Sequence, residues 1–276
     1  MIQMEENAMG EMLGQLYVKE FFNEKAKKRY TDMVEAIMEG AATFCEEVLA
    51  PLNLSGDQEG CTIADGVVTT PKGFTATGVT AGLKESGRPD LAIVVNNGPD
   101  AHAAAVFTSN AFKAAPVLWS ADIVANGRLA AVVLNSGGAN ACTGRAGLDD
   151  ARQMAEWTAA SVGCEVEDVA VCSTGLIGVR LPMTKVLAGV ELAAQDLSEE
   201  GGPAAAEAIM TTDTVPKTAE YHSPHHWAIG GMAKGAGMLA PALATMLVVI
   251  TTDALVAADE LASALTTATS FTFDRT

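Results

Sequence analysis

Two textures divide this chain. Between residues 13 and 49, apolar residues at Met33, Val34, Ile37, Met38, Ala41, Ala42, Phe44 and Val48 recur at three- and four-residue steps among charged ones. That spacing puts them on one face of a helix. Pro51 and the polar run 53–56 end it. From Val67 onward, short β-branched runs alternate with Ala-rich helical ones. The runs 91–96, 103–107, 130–134, 169–172 and 246–251 predict strands. The runs 149–162, 183–192, 204–209 and 259–268 predict helices. Alternation of this kind argues for an α/β protein with a layered core of sheets and helices, not a helical bundle. The division expected is a helical segment over 1–66 and an α/β domain over 67–276.

Composition narrows the chemistry. Hydrophobic residues make up 49% of the chain and aromatic ones only 5%, so a globular core closely packed from small residues is expected. A formal charge of −17 argues against nucleic acid, since phosphate binding needs clustered Lys and Arg. Five cysteines, an odd number with no C-x-x-C pair, fit a reduced cytoplasmic protein. The longest apolar run, 236–250, contains Pro241 and Thr245 and is shorter than a spanning helix needs, so no membrane association is expected.

Candidate chemistry centres on Ala244 and Thr245, where a small residue precedes a hydroxyl at the mouth of the apolar run 246–251. Cleavage between them would give Thr245 a free α-amine with a pKa of about 7.7–8.0. That amine lies close enough to the Thr245 hydroxyl to serve as its general base. The alternative is an ordinary threonine at the start of a core strand. Thr174 and Gly175 follow the strand run 169–172, where a hydroxyl and a backbone N–H can converge on a developing oxyanion; plain strand punctuation is the alternative. Lys234 stands among glycines that would let its ammonium approach a carboxylate closely. Thr211 offers a hydroxyl to the same ligand; the alternatives are a solvated lysine and a helix-capping threonine. His222, His225 and His226 fall within five residues, but no Cys or carboxylate at ligand spacing completes a metal site. The glycine-rich loop 135–144 lacks the Gly-Lys-Ser/Thr ending of a phosphate loop. Its glycines suit backbone approach to an active centre instead.

Four words occur in order: Asn135-Ser-Gly-Gly-Ala-Asn-Ala-Cys-Thr-Gly144, Cys172-Ser-Thr-Gly-Leu-Ile-Gly178 with Leu181-Pro-Met183, Ala208-Ile-Met-Thr-Thr-Asp-Thr-Val-Pro-Lys217, and Gly231-Met-Ala-Lys-Gly-Ala-Gly237. In order and spacing they resemble the glutamate N-acetyltransferase / ornithine acetyltransferase family, from about residue 66 onward. The resemblance implies an N-terminal-nucleophile-like α/β fold and a ping-pong acetyl transfer from N-acetylornithine to glutamate in arginine biosynthesis. It assigns Thr245 as the nucleophile freed by self-cleavage at Ala244/Thr245, Thr174 and Gly175 as the oxyanion hole, and Thr211, Lys234 and Thr245 as substrate contacts. It implies no metal and no organic cofactor, acetyl-CoA as a further donor in some relatives, association of the two cleaved chains, and a homo-oligomer. The family pattern runs on beyond Phe271-Thr-Phe-Asp-Arg275, so an acidic substrate-binding residue is expected to be missing and the domain incomplete at its C-terminus. Two other readings follow from the same residues: a catalytically inactive fusion fragment, and an amidase or aminopeptidase that uses a terminal threonine with water as acceptor.

The first 66 residues carry resemblances of their own. The stretch from Leu13-Gly-Gln-Leu-Tyr-Val-Lys-Glu-Phe-Phe22 through Met33-Val-Glu-Ala-Ile37 is similar to neprilysin-type zinc metallopeptidases. Phe44-Cys-Glu-Glu-Val-Leu-Ala-Pro-Leu-Asn53 and the residues up to Phe74 resemble the N-terminal region of acyl-CoA dehydrogenases. Neither chemistry comes with its piece, because there is no His-Glu-x-x-His for zinc and no matching flavin site or catalytic carboxylate. This segment is expected to be a helical appendage.

Overall fold

The computed structural model describes residues 71–224, 226–235 and 245–271. The helical reading of residues 13–49, the segment 1–66 and its boundary, Ala244 and His225 lie outside the described residues.

Two sheets carry the architecture. The first contains β1 (Phe74–Val79), β2 (Leu91–Asn96), β3 (Ala131–Asn135) and β4 (Val169–Ser173) in that spatial order, antiparallel except for the parallel β3/β4 pair. The second is antiparallel: β5 (Lys217–His222), β6 (Ala228–Lys234) and β7 (Leu247–Thr252). Among the described residues, five α-helices accompany them: α1 (Ala115–Ile123), α2 (Gly144–Val162), α3 (Met183–Gln195), α4 (Gly202–Ala208) and α5 (Ala258–Phe271).

Strand alternation explains the layering. Leu91, Ile93 and Val95 of β2 point one way, with Val133 of β3 and Val169 and Val171 of β4. They meet Ala151, Met154, Ala155 and Ala159 of α2 and Val186, Val190 and Ala193 of α3. Those helix residues recur at three- and four-residue steps, as a buried face requires. Ala92, Val94 and Leu134 point the other way, onto α4 and onto Met232, Leu247 and Val249 of the second sheet. Burial on both faces is why β2 reads as an unbroken apolar run. Trp227, Ile229 and Val256, with Leu261 of α5, cover the far side of the second sheet. The result is helices on one face of the first sheet and, on its other face, α4 and the second sheet.

Close approaches fix α4 on the first sheet. A Cβ at Gly78 would lie 2.0 Å from the Ala204 carbonyl oxygen, and one at Gly201 would lie 1.8 Å from that of Ala76. No side chain fits there.

The run 103–107 is not a strand. It is irregular and largely exposed, with Val106 and Phe107 at 47% and 38%, and only the neighbouring His102 makes an isolated bridge, to Arg128. An apolar run becomes a strand only where a partner edge and a covered face await it. Four elements went unforeseen: β1, β5, β6 and α1. Gly230 and Gly231 break the apolar pattern of β6, and a Cβ at Gly230 would meet Pro71 Cδ at 2.8 Å.

Candidate functional site

The end of β4 is tied down by backbone. The Thr174 N–H donates to the Asn135 carbonyl at 2.9 Å, extending the β3/β4 ladder by one step. Gly175 then turns with φ +130°, and a Cβ there would lie 2.8 Å from the Gly138 nitrogen and 2.9 Å from the Gly137 carbonyl carbon. Only glycine lets the two loops pass this closely. The Ala139 N–H donates to the Leu176 carbonyl at 2.9 Å and locks the pair. The glycines of loop 135–144 do bring backbone against the Thr174–Gly175 turn.

Across the gap between the sheets stands Lys234, the last residue of β6 and buried. Its Nζ donates to Thr174 Oγ1 at 3.2 Å and to the Thr245 carbonyl at 3.1 Å. One side chain therefore joins the ends of two strands on different sheets. An ammonium can only donate, so the Thr174 hydroxyl accepts from it and keeps its own proton to give elsewhere. Burial pulls the Lys234 ammonium down to about 8; Asp213 pushes it back up, and the cations Lys217 and Lys84 add to the lowering. Thr245 lies two residues before β7, at the mouth of the strand, and is half-buried.

Thr211 sits in a turn after α4 and does not cap that helix, which ends at Ala208. Its N–H donates to Asp213 Oδ2 at 3.1 Å. Asp213 Oδ1 accepts from the Gly235 N–H at 2.8 Å and from the Lys217 ammonium. Burial raises the Asp213 pKa, but the Lys217 hydrogen bond, the Gly235 and Thr211 N–H groups and the Lys217 charge outweigh it and hold the carboxyl below its ordinary value. The carboxylate thus pins Thr211 beside the residue that follows Lys234.

The candidates Thr174, Gly175, Thr211, Lys234 and Thr245 are thereby assembled around one gap, while Ala244 falls outside the described residues. Sequence reasoning passed over Asp213 and Lys217. The available signal was an acid and a base four residues apart inside one of the family words.

Other chemistry has less to work with. Burial pushes the Cys172 thiol up to about 12, so it is not an ionised nucleophile. His222 Nε2 lies 3.6 Å from Glu220 Oε1. Among the described residues no group of three or more His, Cys, Asp or Glu could hold a metal ion, and no helix is long and apolar enough to cross a membrane.

A family model described as the ArgJ family matches residues 75–276. A Streptomyces coelicolor protein named arginine biosynthesis bifunctional protein ArgJ is 63% identical over 208 residues, which cover 75% of this chain and 54% of that protein. One of the same name from Mycobacterium leprae is 60% identical over 215 residues, covering 75% and 53%. The chain spans about half the length of the curated relatives it matches. The crystal structure of ornithine acetyltransferase complexed with ornithine from Mycobacterium tuberculosis superposes with a TM-score of 0.62 at 55% identity, over 65% of this chain and 95% of that one. The arginine biosynthesis bifunctional protein from Bacillus halodurans superposes at 0.51 and 34% identity, over 70% and 92%. The layered α/β core is the fold of these proteins.

Proposed function

The chain belongs to the ArgJ family, and from that premise we propose that it moves an acetyl group from N-acetylornithine to glutamate, the step that links its relatives to arginine biosynthesis. The observation that carries this reading is the Lys234 ammonium held between Thr174 Oγ1 and the Thr245 carbonyl. It brings a hydroxyl donor, a cation and a second threonine to one gap.

In this reading the Ala244/Thr245 bond is cut first, and the new α-amine of Thr245 accepts the proton of its own hydroxyl. Thr245 Oγ1 adds to the acetyl carbonyl carbon of N-acetylornithine. Negative charge gathers on the carbonyl oxygen, where the Thr174 hydroxyl and the Gly175 N–H donate to it. The carbon–nitrogen bond breaks, the proton held by the Thr245 amine passes to the departing nitrogen, and ornithine leaves an acetyl ester on Thr245. The glutamate amine then adds to the ester. Thr245 Oγ1 departs and recovers a proton, and N-acetylglutamate is released.

Lys234 and Thr211 serve the amino-acid part of each substrate, the lysine as partner of its carboxylate. Acetyl-CoA is a second donor of the same group, attacked in the same way. The cleaved chains stay associated through the β6/β7 ladder, in which Lys234 pairs with Leu247, and the assembly is a homo-oligomer of the cytoplasm.

Incubating the purified chain with N-acetylornithine and glutamate tests the proposal. Ornithine and N-acetylglutamate should appear together in equal amounts. Ornithine and acetate without N-acetylglutamate would make water the acceptor and overturn it.

A further inference from the structure

Among the described residues, the cation at the centre of the site has no charged hydrogen-bond partner. Both acceptors of Lys234 Nζ, the Thr174 hydroxyl and the Thr245 carbonyl, are neutral. A buried ammonium so placed needs a negative charge nearby to stay charged. The nearest candidate on the second-sheet side is Asp213, whose side chain is 1% exposed. It accepts three donors from three places: the Thr211 turn, Gly235 directly after Lys234, and the Lys217 ammonium at the start of β5. Nothing in the acetyl-transfer chemistry uses this carboxylate directly.

We propose that Asp213 is a positioning residue of the site: it joins the Thr211 turn to the Lys234–Gly235 strand end, and it supplies the negative charge that Lys234 otherwise lacks. The geometry supports both tasks. Two carboxylate oxygens divided between the Thr211 and Gly235 amides fix the separation of two segments that are distant in sequence, and hydrogen bonds to an ionised acceptor are the strong ones. The charges around Lys234 come from every side of the gap: Asp213 as the anion, with Lys217 from β5 and Lys84 from the loop after β1 as cations. Lys84 is itself anchored by its Nζ to the Pro89 carbonyl at 2.8 Å. Asp213 therefore counters three lysines, and its removal is felt first by the most buried of them.

This inference rests on the reading of Lys234 and Thr211 as substrate-facing groups, so its test is independent of acetyl transfer. Full-length chain labelled with 13C at lysine Cε is titrated by NMR, the Lys234 resonance being identified by its loss in Lys234→Gln. The unsubstituted chain should show Lys234 titrating near 8. Asp213→Asn keeps an acceptor but removes the charge, and should lower the Lys234 midpoint by about one pH unit, a ~10-fold loss of proton affinity. It should also shift the Thr211 and Gly235 amide resonances together. Lys217→Gln leaves Asp213 in place and removes a cation, so it should raise the same midpoint. Should Asp213→Asn fail to fold, Asp213→Glu, which keeps the charge but displaces the carboxylate, takes its place and should move the Lys234 midpoint and the Thr211 and Gly235 amide resonances together. A Lys234 midpoint that stays put in the folded variants, or that Lys217→Gln lowers, would overturn the proposal and leave Asp213 a purely local turn brace.

Discussion

Thr174 and Thr245 are both held by the one ammonium of Lys234, yet their scaffolds differ in depth. Thr174 ends a strand whose Val169 and Val171 are buried beneath helices, and its turn is fixed by backbone contacts to Asn135 and to the glycine loop. Thr245 opens β7, all six residues of which are only half-buried. Its recorded tie across the gap is the Lys234 ammonium on its carbonyl. Backbone geometry enclosed in a two-sided core does not change with pH, whereas a contact made by an ammonium that titrates near 8 does. The Thr174 backbone is thus fixed without Lys234, though its hydroxyl shares that ammonium, while for Thr245 the ammonium is the tie that crosses between the sheets.

The same truncation on each side gives the largest contrast in stability. Leu91→Ala, in the doubly covered β2, should cost about 2–5 kcal/mol of unfolding free energy. Leu247→Ala, at the start of the half-exposed β7, should cost less than half of that in the same urea titration, because less apolar area returns to water. Equal losses would break the comparison. Next in size is Thr174→Ala. Removing one oxyanion donor typically costs about 10²–10³ in kcat, with little change in KM. A raised KM with kcat unchanged would return Thr174 to an ordinary turn residue.

Lys234→Ala should act mainly on affinity, with KM for glutamate raised about 10- to 100-fold, as expected when a hydrogen bond to a charged group is lost. A fall in kcat with KM unchanged would move Lys234 from substrate binding to the chemical step. The intact lysine carries a pH signature whose two parts run in opposite directions. Its folded pKa is lowered to about 8 from the ordinary 10.5. Carboxylate binding that needs the ammonium is therefore present below 8 and is lost as pH rises through it. Folding stability moves the other way between about 8 and 10.5, where the unfolded chain holds the proton and the folded chain does not, so stability rises with pH there. Calorimetric binding and denaturant midpoints across that window would read both slopes; parallel slopes would contradict the assignment. The smallest effect is expected from deleting residues 1–66. The cut stops short of Pro71 and Lys72, which touch Gly230 and Asp253, and should leave transfer unchanged. A large loss with the remainder still folded would make that region part of the site.

How far the sequence could be read follows the same contrast only in part, since β1 of the first sheet went unforeseen and β7 of the second was expected at 246–251. β2 was legible to the residue, and β3, β4 and α2 nearly so, because strands and helices in a doubly covered core need unbroken apolar runs or clean helical periods. The second sheet was mostly illegible. β6 hides behind Gly230 and Gly231, the first of which leaves room for Pro71 and for Thr251 of β7. β5 carries few apolar residues, with Ala219 and Tyr221 packed at Trp227 and the exposed Thr218 and Glu220 on its other face. The run 103–107 had the composition of a strand, but its pairing ends where it starts, at the His102 bridge to Arg128 and the Ala103 N–H on the Gly127 carbonyl. Thr174 and Lys234 were nameable because family words contain them, and Thr245 because it follows Ala244 at the mouth of an apolar run, but their convergence depends on contacts between sheets, which spacing along one chain does not encode. Asp213 was missed for that reason: its partners come from three separate elements.

The central claim is that Thr245 becomes a chain terminus and a nucleophile. Intact-mass spectrometry of the purified protein tests it most directly, alongside Thr245→Ala. The account predicts two species, residues 1–244 and 245–276, from the unsubstituted chain, and one uncut species from the variant. A single uncut mass from the unsubstituted chain would contradict it, since the amine that is to serve as base would never form.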